Sequence, residues 1–217
     1  MQPRFTRLPA WFFRRGHLLN PHRFATAPEP ALRAELERLT RATPFLIDTL
    51  RAARAMGLPD CWLVSGAVYN RVWNALTGRP ARHGIKDIDL FYFDPDTSWE
   101  AEDRMIARAA RVFAPDPPVE LRNQARVHLW YEDHFGQSYA PLGSSREGID
   151  RFACKTHAVG LQLTADDRLE IYAPFGLGDI FSLRVTPNPL LDNRATHERK
   201  AARQKRLWPE LEIVPWP

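Results

Sequence analysis

The chain has 217 residues, of which 44% are hydrophobic and seven are Trp, so it can bury a sizeable core and is not a disordered protein. Its net charge of +4 and pI of about 9.3 exclude a strongly acidic protein and favour ligands that carry phosphate. No apolar run approaches the roughly 18–20 residues that span a bilayer, so we predict no membrane partner. Cys61 and Cys154 lie in apolar segments, which favours reduced thiols in a cytoplasmic protein.

The chain begins with a basic segment. Residues 1–28 contain no Asp or Glu but several Arg, and we predict an N-terminal extension that is at most loosely docked. A transit peptide or a nucleic-acid-binding arm remains an alternative. Residues 29–190 are predicted to form the main domain, and residues 191–217 a basic C-terminal helix and tail.

The hydrophobic pattern then alternates between helical and strand periods. Helices are predicted over residues 28–41, 44–57, 67–78, 99–113 and 192–206. Strands are predicted over residues 61–64, 87–93, 119–122, 126–131, 157–163 and 169–172. This order indicates an α+β fold with a mixed β-sheet flanked by α-helices.

Two carboxylates stand one residue apart on the predicted strand that runs from residue 87 to 93. Side chains alternate along a strand, so Asp87 and Asp89 should point the same way, roughly 6–7 Å apart. Like charges so close repel each other unless a cation lies between them, and carboxylate oxygens on a rigid strand suit Mg²⁺ or Mn²⁺. The plain alternative is a solvated strand end.

Two further features accompany this pair. Ser65 and Gly66 stand where a buried strand turns into a helix, and the free N–H groups of a helix N-terminus attract an anion. Glu120 is a single carboxylate between Val119 and Leu121 on a later strand. Either feature alone has a structural explanation, namely a packing glycine and a solvent-facing strand residue. Their order around the Asp pair favours a phosphate-handling site.

Cationic residues elsewhere are weaker candidates. Arg126 could neutralise a triphosphate or form a structural ion pair, and Lys155 precedes a strand from which it could reach a nucleotide. The basic run from Arg194 to Arg206 is most simply a solvated helix face, with RNA binding as the alternative.

At these positions the chain resembles the DNA polymerase beta nucleotidyltransferase superfamily, which carries a Gly-containing strand end, an Asp-x-Asp strand and a third carboxylate. It also resembles a bacterial nucleotidyltransferase-like family of unknown function. The segments that carry this second resemblance span roughly residues 40–190. They are residues 62–70, Trp73, and residues 87–93, 123–130 and 173–181.

The resemblance implies a fold and a reaction. Asp87, Asp89 and Glu120 would hold Mg²⁺ or Mn²⁺ as the catalytic set, and the three carboxylates would converge opposite the helix that begins near Ala67. Ser65, Gly66 and Ala67, with Arg126 and Lys155, would bind a nucleoside triphosphate. The nucleoside monophosphate would pass to an acceptor that the sequence does not identify, whether RNA, protein or a small molecule. The alternative is a catalytically inactive protein that binds a nucleotide or a partner.

Overall fold

A computed structural model describes residues 20–217, and the predictions for residues 1–19 lie outside this part. The helices are α1 (Glu29–Arg41), α2 (Pro44–Met56), α3 (Gly66–Thr77), α4 (Trp99–Val112), α5 (Tyr131–Phe135), α6 (Ser145–Asp150), α7 (Gly178–Phe181) and α8 (Arg194–Leu207). The strands are β1 (Trp62–Val64), β2 (Ile88–Tyr92), β3 (Val119–Asn123), β4 (Gly160–Leu163), β5 (Leu169–Tyr172), β6 (Arg184–Val185) and β7 (Glu212–Ile213). The predicted mixed sheet flanked by helices is confirmed.

The main sheet has the strand order β3-β2-β1-β4-β5, and its register fixes the site. Strand β2 runs antiparallel to β1 and parallel to β3. Val64 at the end of β1 lies opposite Asp89, and Asp89 lies opposite Glu120. Residues paired in this way project from the same face of a sheet, so the two carboxylates are neighbours on adjacent strands about 4.8 Å apart.

The opposite face of β2 packs into the main core. Ile88, Leu90 and Tyr92 are buried, whereas Asp89 and Phe91 are only half-buried. Leu residues of α1 and α2 recur at helical spacing and share this core, and Pro44 begins α2 directly after Thr43. One face of β2 therefore packs into the core, and the side chains of the other face remain partly exposed and able to bind a ligand.

The C-terminal segment belongs to the same core. The buried Trp208 indole donates a hydrogen bond to Asn74 Oδ1 at 3.0 Å. Gly84 has φ +71° and lies so close to the Trp208 ring that a Cβ would collide with it, so only glycine fits there. The predicted boundary at residue 190 therefore does not coincide with a break in the core.

One strand prediction was wrong in kind and another in extent. The segment 126–131 forms a 3₁₀-helix (Gln124–Leu129) and the start of α5. The Asn123 side chain ends β3, because its Oδ1 accepts hydrogen bonds from the N–H groups of Asp94 (3.0 Å) and Ala125 (3.1 Å). The strand predicted from residue 157 begins at Gly160, after a second 3₁₀-helix. No helix within residues 20–217 is long and apolar enough to cross a membrane.

Candidate active site

A cavity of about 210 Å³ opens beside the ends of β1 and β2. Three walls meet there. The turn at Ser65 and Gly66 forms one, Asp87 and Asp89 form another, and helix α8 forms the third. The cavity thus brings an anion-binding geometry, a pair of carboxylates and a basic helix together.

The turn from β1 into α3 presents unpaired donors. The Ser65 N–H donates to the Val159 carbonyl at 2.9 Å, and the Ser65 carbonyl accepts from Val68 at 2.9 Å. The N–H groups of Gly66 and Ala67 have no acceptor among the residues from 20 to 217, as expected for the first turn of a helix. A Cβ built on Gly66 would meet only the Tyr69 hydroxyl, at 3.9 Å, so an anion has room to approach the backbone.

Ser65 holds this turn in an unusual conformation. Its φ of 57° and ψ of −114° lie where side-chain-bearing residues are rare, which costs about 1–3 kcal/mol. The side chain is 3% exposed and faces the cavity. Strain retained at a strand-to-helix turn favours a functional role for the turn.

Asp87 immediately precedes β2, Asp89 lies on that strand, and both line the cavity. Neither carboxylate forms an ion pair with any residue of the described segment 20–217. Burial, followed by the charges of Asp87 and Glu120, raises the pKa of Asp89 to about 6 from 3.8, while Lys200 and Arg122 oppose the rise. An oxygen donor pair that lacks a protein partner fits a divalent cation.

Glu120 is placed differently from the other two carboxylates. It lies beside Asp89 on the sheet, but it forms an ion pair with Arg122 at 3.1 Å, and it does not line the cavity. Within residues 20–217 no three His, Cys, Asp or Glu side chains are grouped so as to hold a metal. The three-carboxylate cluster that the resemblance implies is therefore not preformed. Three carboxylates without a cation repel one another, and Arg122 offers Glu120 an alternative partner.

Two predicted nucleotide-binding cations lie away from the cavity. Arg126 is 2% exposed, pairs with Glu102 at 2.7 Å and stacks 4.3 Å from the Trp99 ring centroid. Arg126 therefore links α4 to the segment after β3. It forms the structural ion pair that was the alternative to triphosphate binding. Lys155 lies with its Nζ 5.6 Å from the Phe175 ring centroid and does not line the cavity.

Helix α8 supplies the cations that sequence reasoning missed. Lys200 and Arg203 line the cavity and have no acidic partner in the part of the chain that the structure describes. The helix is anchored by the buried Gln204, whose amide nitrogen donates to the Tyr69 hydroxyl at 2.9 Å. Gln204 Oε1 lies 3.1 Å from Nε2 of His157. Burial lowers the pKa of His157 well below 6.5, so this histidine is neutral and its Nε2–H can donate to the amide oxygen.

The sequence signal for this docking was the spacing of His197, Ala201 and Gln204. These three residues recur at positions i, i+4 and i+7, and all are buried. Because two of them are polar, the stripe does not stand out as hydrophobic. The prediction of a solvated helix face therefore describes one side of α8, and the other side is buried.

An open helix N-terminus that faces two carboxylates across one cavity can bind phosphate oxygens next to a divalent cation. The comparisons with known proteins identify the class of protein. Residues 51–213 match a protein family described as nucleotidyltransferase, and the chain belongs to that family.

A solved structure with the same fold is described by the words "The NMR structure of the protein reveals a CCA-adding enzyme head domain". It is 28% identical to this chain with a TM-score of 0.68, and the match covers 84% of this chain and 96% of that one. A comparison with curated proteins found no match. The predicted membership of the nucleotidyltransferase superfamily is confirmed.

Proposed function

We propose that this protein transfers a nucleoside monophosphate from a nucleoside triphosphate to a hydroxyl group of an acceptor, with Mg²⁺ or Mn²⁺ as cofactor. One observation supports this most strongly. A carboxylate pair that lacks any partner in residues 20–217 faces, across one cavity, the open N-terminus of α3 and two cations of α8. The two buried free thiols agree with a reducing compartment, and we propose the cytoplasm.

The chain's own groups divide the task. The N–H groups of Gly66 and Ala67 would bind phosphate oxygens, and Lys200 and Arg203 would neutralise the charge that develops on the leaving pyrophosphate. The volume of about 210 Å³ is below the roughly 300–1,000 Å³ of pockets that enclose a whole ligand. The cavity therefore suits the triphosphate, and the nucleoside would extend beyond it.

Asp87 and Asp89 would hold the divalent cation, and Glu120 would join them once it leaves Arg122. A bound divalent cation would activate the acceptor hydroxyl and neutralise the triphosphate. Because Asp89 lies on β2 and Asp87 directly precedes it, a cation held by the two carboxylates would have a fixed position relative to the bound phosphates.

The test compares nucleotide binding and turnover in matched variants. Thermal stabilisation by each common nucleoside triphosphate with Mg²⁺ should be clear in the wild-type chain and lost in Asp87→Asn and Asp89→Asn. Asp103→Asn removes an equal charge from an exposed site on α4 and should behave as wild type. Pyrophosphate release with a cell extract as the source of acceptor should follow the same pattern. Full stabilisation and release in both site variants would refute the assignment.

A second function, nucleotide binding without transfer, has one observation in its favour. Glu120 is engaged by Arg122 and the third carboxylate is therefore not in place. Stabilisation by triphosphates with no pyrophosphate release from any acceptor fraction would support this second function. Arg122→Gln frees Glu120, and a gain of metal-dependent pyrophosphate release in this variant would instead favour transfer.

A further inference from the structure

The outer edge of β3 is open. This strand stands at one end of the sheet order, and within residues 20–217 no strand pairs with its outer side. The backbone N–H and C=O groups of successive strand residues point to alternate sides. The Pro118 carbonyl accepts a hydrogen bond from the Ile88 N–H of β2 at 2.9 Å, so Val119 and Leu121 direct their backbone groups outward. An edge that presents donors and acceptors in this way is a template for a further strand.

The opposite edge of the sheet is covered. Strand β5 pairs with β4 on one side, and on its other side the Arg33 guanidinium of α1 donates to the Ile171 carbonyl at 3.0 Å. A side chain that occupies an edge carbonyl opposes pairing with another strand. The sheet therefore offers one edge for pairing, and two copies that pair through it form a closed dimer instead of a filament.

An apolar groove of about 450 Å³ runs along the open edge, between β3 and α4. Ile106, Ala110 and Phe113 of α4 line it at helical spacing, and Ile106 is 41% exposed. Helix α4 fully buries only Ala101 and Ala109 among its 14 residues. Exposed apolar groups beside an open strand edge mark a surface that another protein can cover.

The charges of β3 indicate which protein fits this surface. Its sequence, Val-Glu-Leu-Arg-Asn, places the exposed Glu120 and Arg122 symmetrically about Leu121. When two copies of the strand pair antiparallel about Leu121, Glu120 of each copy lies directly opposite Arg122 of the other. Opposite charges in such positions stabilise an antiparallel pair, whereas like charges destabilise it. The strand is therefore complementary to a second copy of itself.

We propose that this protein forms a two-fold dimer in which β3 pairs with β3 of a second copy and the two α4 helices pack against each other. In this register the two Leu121 residues exchange two hydrogen bonds, because the N–H and C=O of each point outward. The two sheets become one continuous sheet, and the apolar groove of each copy is covered by α4 of the other. This interface goes beyond the proposed transfer reaction and requires neither nucleotide nor cation.

Sedimentation equilibrium of the full chain over a range of protein concentrations tests the dimer. We expect wild type to approach twice the monomer mass of 25.0 kDa. Ile106→Asp should raise the dissociation constant of the dimer at least about tenfold, because each copy would bury an unpaired carboxylate in the interface. Val112→Asp is the matched control. Val112 is 43% exposed on the same helix but does not line the groove, so this variant should dimerise as wild type does.

Exchanged charges test the strand pairing. Glu120→Arg leaves two positive charges on the edge, and Arg122→Glu leaves two negative charges. Each variant alone should dissociate at least about tenfold more readily than wild type, because like charges then face each other across the interface. An equimolar mixture of the two variants should associate as tightly as wild type, because every charge then faces an opposite one. Association in the mixture also shows that both variants are folded.

Three results would overturn the proposal. A wild-type chain that stays monomeric at every concentration would refute the dimer. Equal weakening by Ile106→Asp and Val112→Asp would show that the groove is not the interface. Charge variants that dimerise as wild type, or a mixture that stays monomeric when each variant is monomeric, would refute pairing through β3. Because no nucleotide is added, none of these results depends on whether the protein transfers a nucleotide.

Discussion

Asp89 is expected to destabilise the protein at neutral pH when no cation is bound. Burial and the neighbouring carboxylates raise its pKa from 3.8 to about 6 in the folded chain. Because the folded pKa is the higher one, the favourable contribution is complete below pH 3.8 and is lost as the pH rises through 6. The difference corresponds to about 3 kcal/mol at about 1.36 kcal/mol per pH unit.

Asp89→Asn removes the charge and keeps the shape of the side chain. In urea unfolding with a chelator present, we expect this variant to be about 1–3 kcal/mol more stable than wild type at pH 8. Near pH 4 the two proteins should be nearly equal, because Asp89 is then mostly protonated in the fold. Added Mg²⁺ should stabilise wild type at pH 8 and leave Asp89→Asn unchanged.

Asp103→Asn is the matched control, because it removes an exposed carboxylate outside the cavity. It should change the free energy of unfolding by less than about 0.5 kcal/mol at either pH. Equal stabilities of Asp89→Asn and wild type at pH 8, or an equal gain at pH 4, would refute the reasoning, since the effect would then not come from the carboxylate charge.

Three further predictions concern other parts of the site. Gly84→Ala should destabilise by more than about 2 kcal/mol in urea unfolding, because the new Cβ meets Trp208 at a positive φ; a wild-type midpoint would contradict this. Lys200→Gln should weaken triphosphate binding at least about fivefold by calorimetry, whereas Arg108→Gln should not, because only Lys200 faces the cavity. His157→Gln should reduce the loss of stability on acidification below pH 6.5 by up to about 1.4 kcal/mol per pH unit. The unfolded chain takes up that proton and the folded chain does not, so an unchanged slope would show that His157 is not the acid-sensitive group.

The face of the sheet that carries the carboxylates was predictable because side chains alternate strictly along a strand. Ile88 and Leu90 identify the packed side of β2, which leaves Asp89 on the other side, and the parallel neighbour adds Glu120 to that side. The alternation of side chains along a strand does not show which residue pairs with Glu120. Glu120 and Arg122 are two residues apart on the exposed side of β3, and alternation alone does not show that they pair with each other.

The cations were misassigned for a different physical reason. Arg126 was predicted either to neutralise a triphosphate or to form a structural ion pair, and in the structure Glu102 from α4 pairs with it in the interior. Lys200 reaches the cavity through docking of α8, which depends on hydrogen bonds of Gln204 with Tyr69 and His157. These hydrogen bonds join residues that are far apart in the chain. Neither the helix propensity of the residues nor the spacing of hydrophobic residues predicts such contacts.

The contact between Gly84 and Trp208 has a consequence for the order of events on the ribosome. The carboxylate strand is translated long before Trp208, and the loop that precedes this strand holds Gly84 against the indole. The third wall is added only when α8 and Trp208 have been synthesised and have docked, so the cavity is not complete before then.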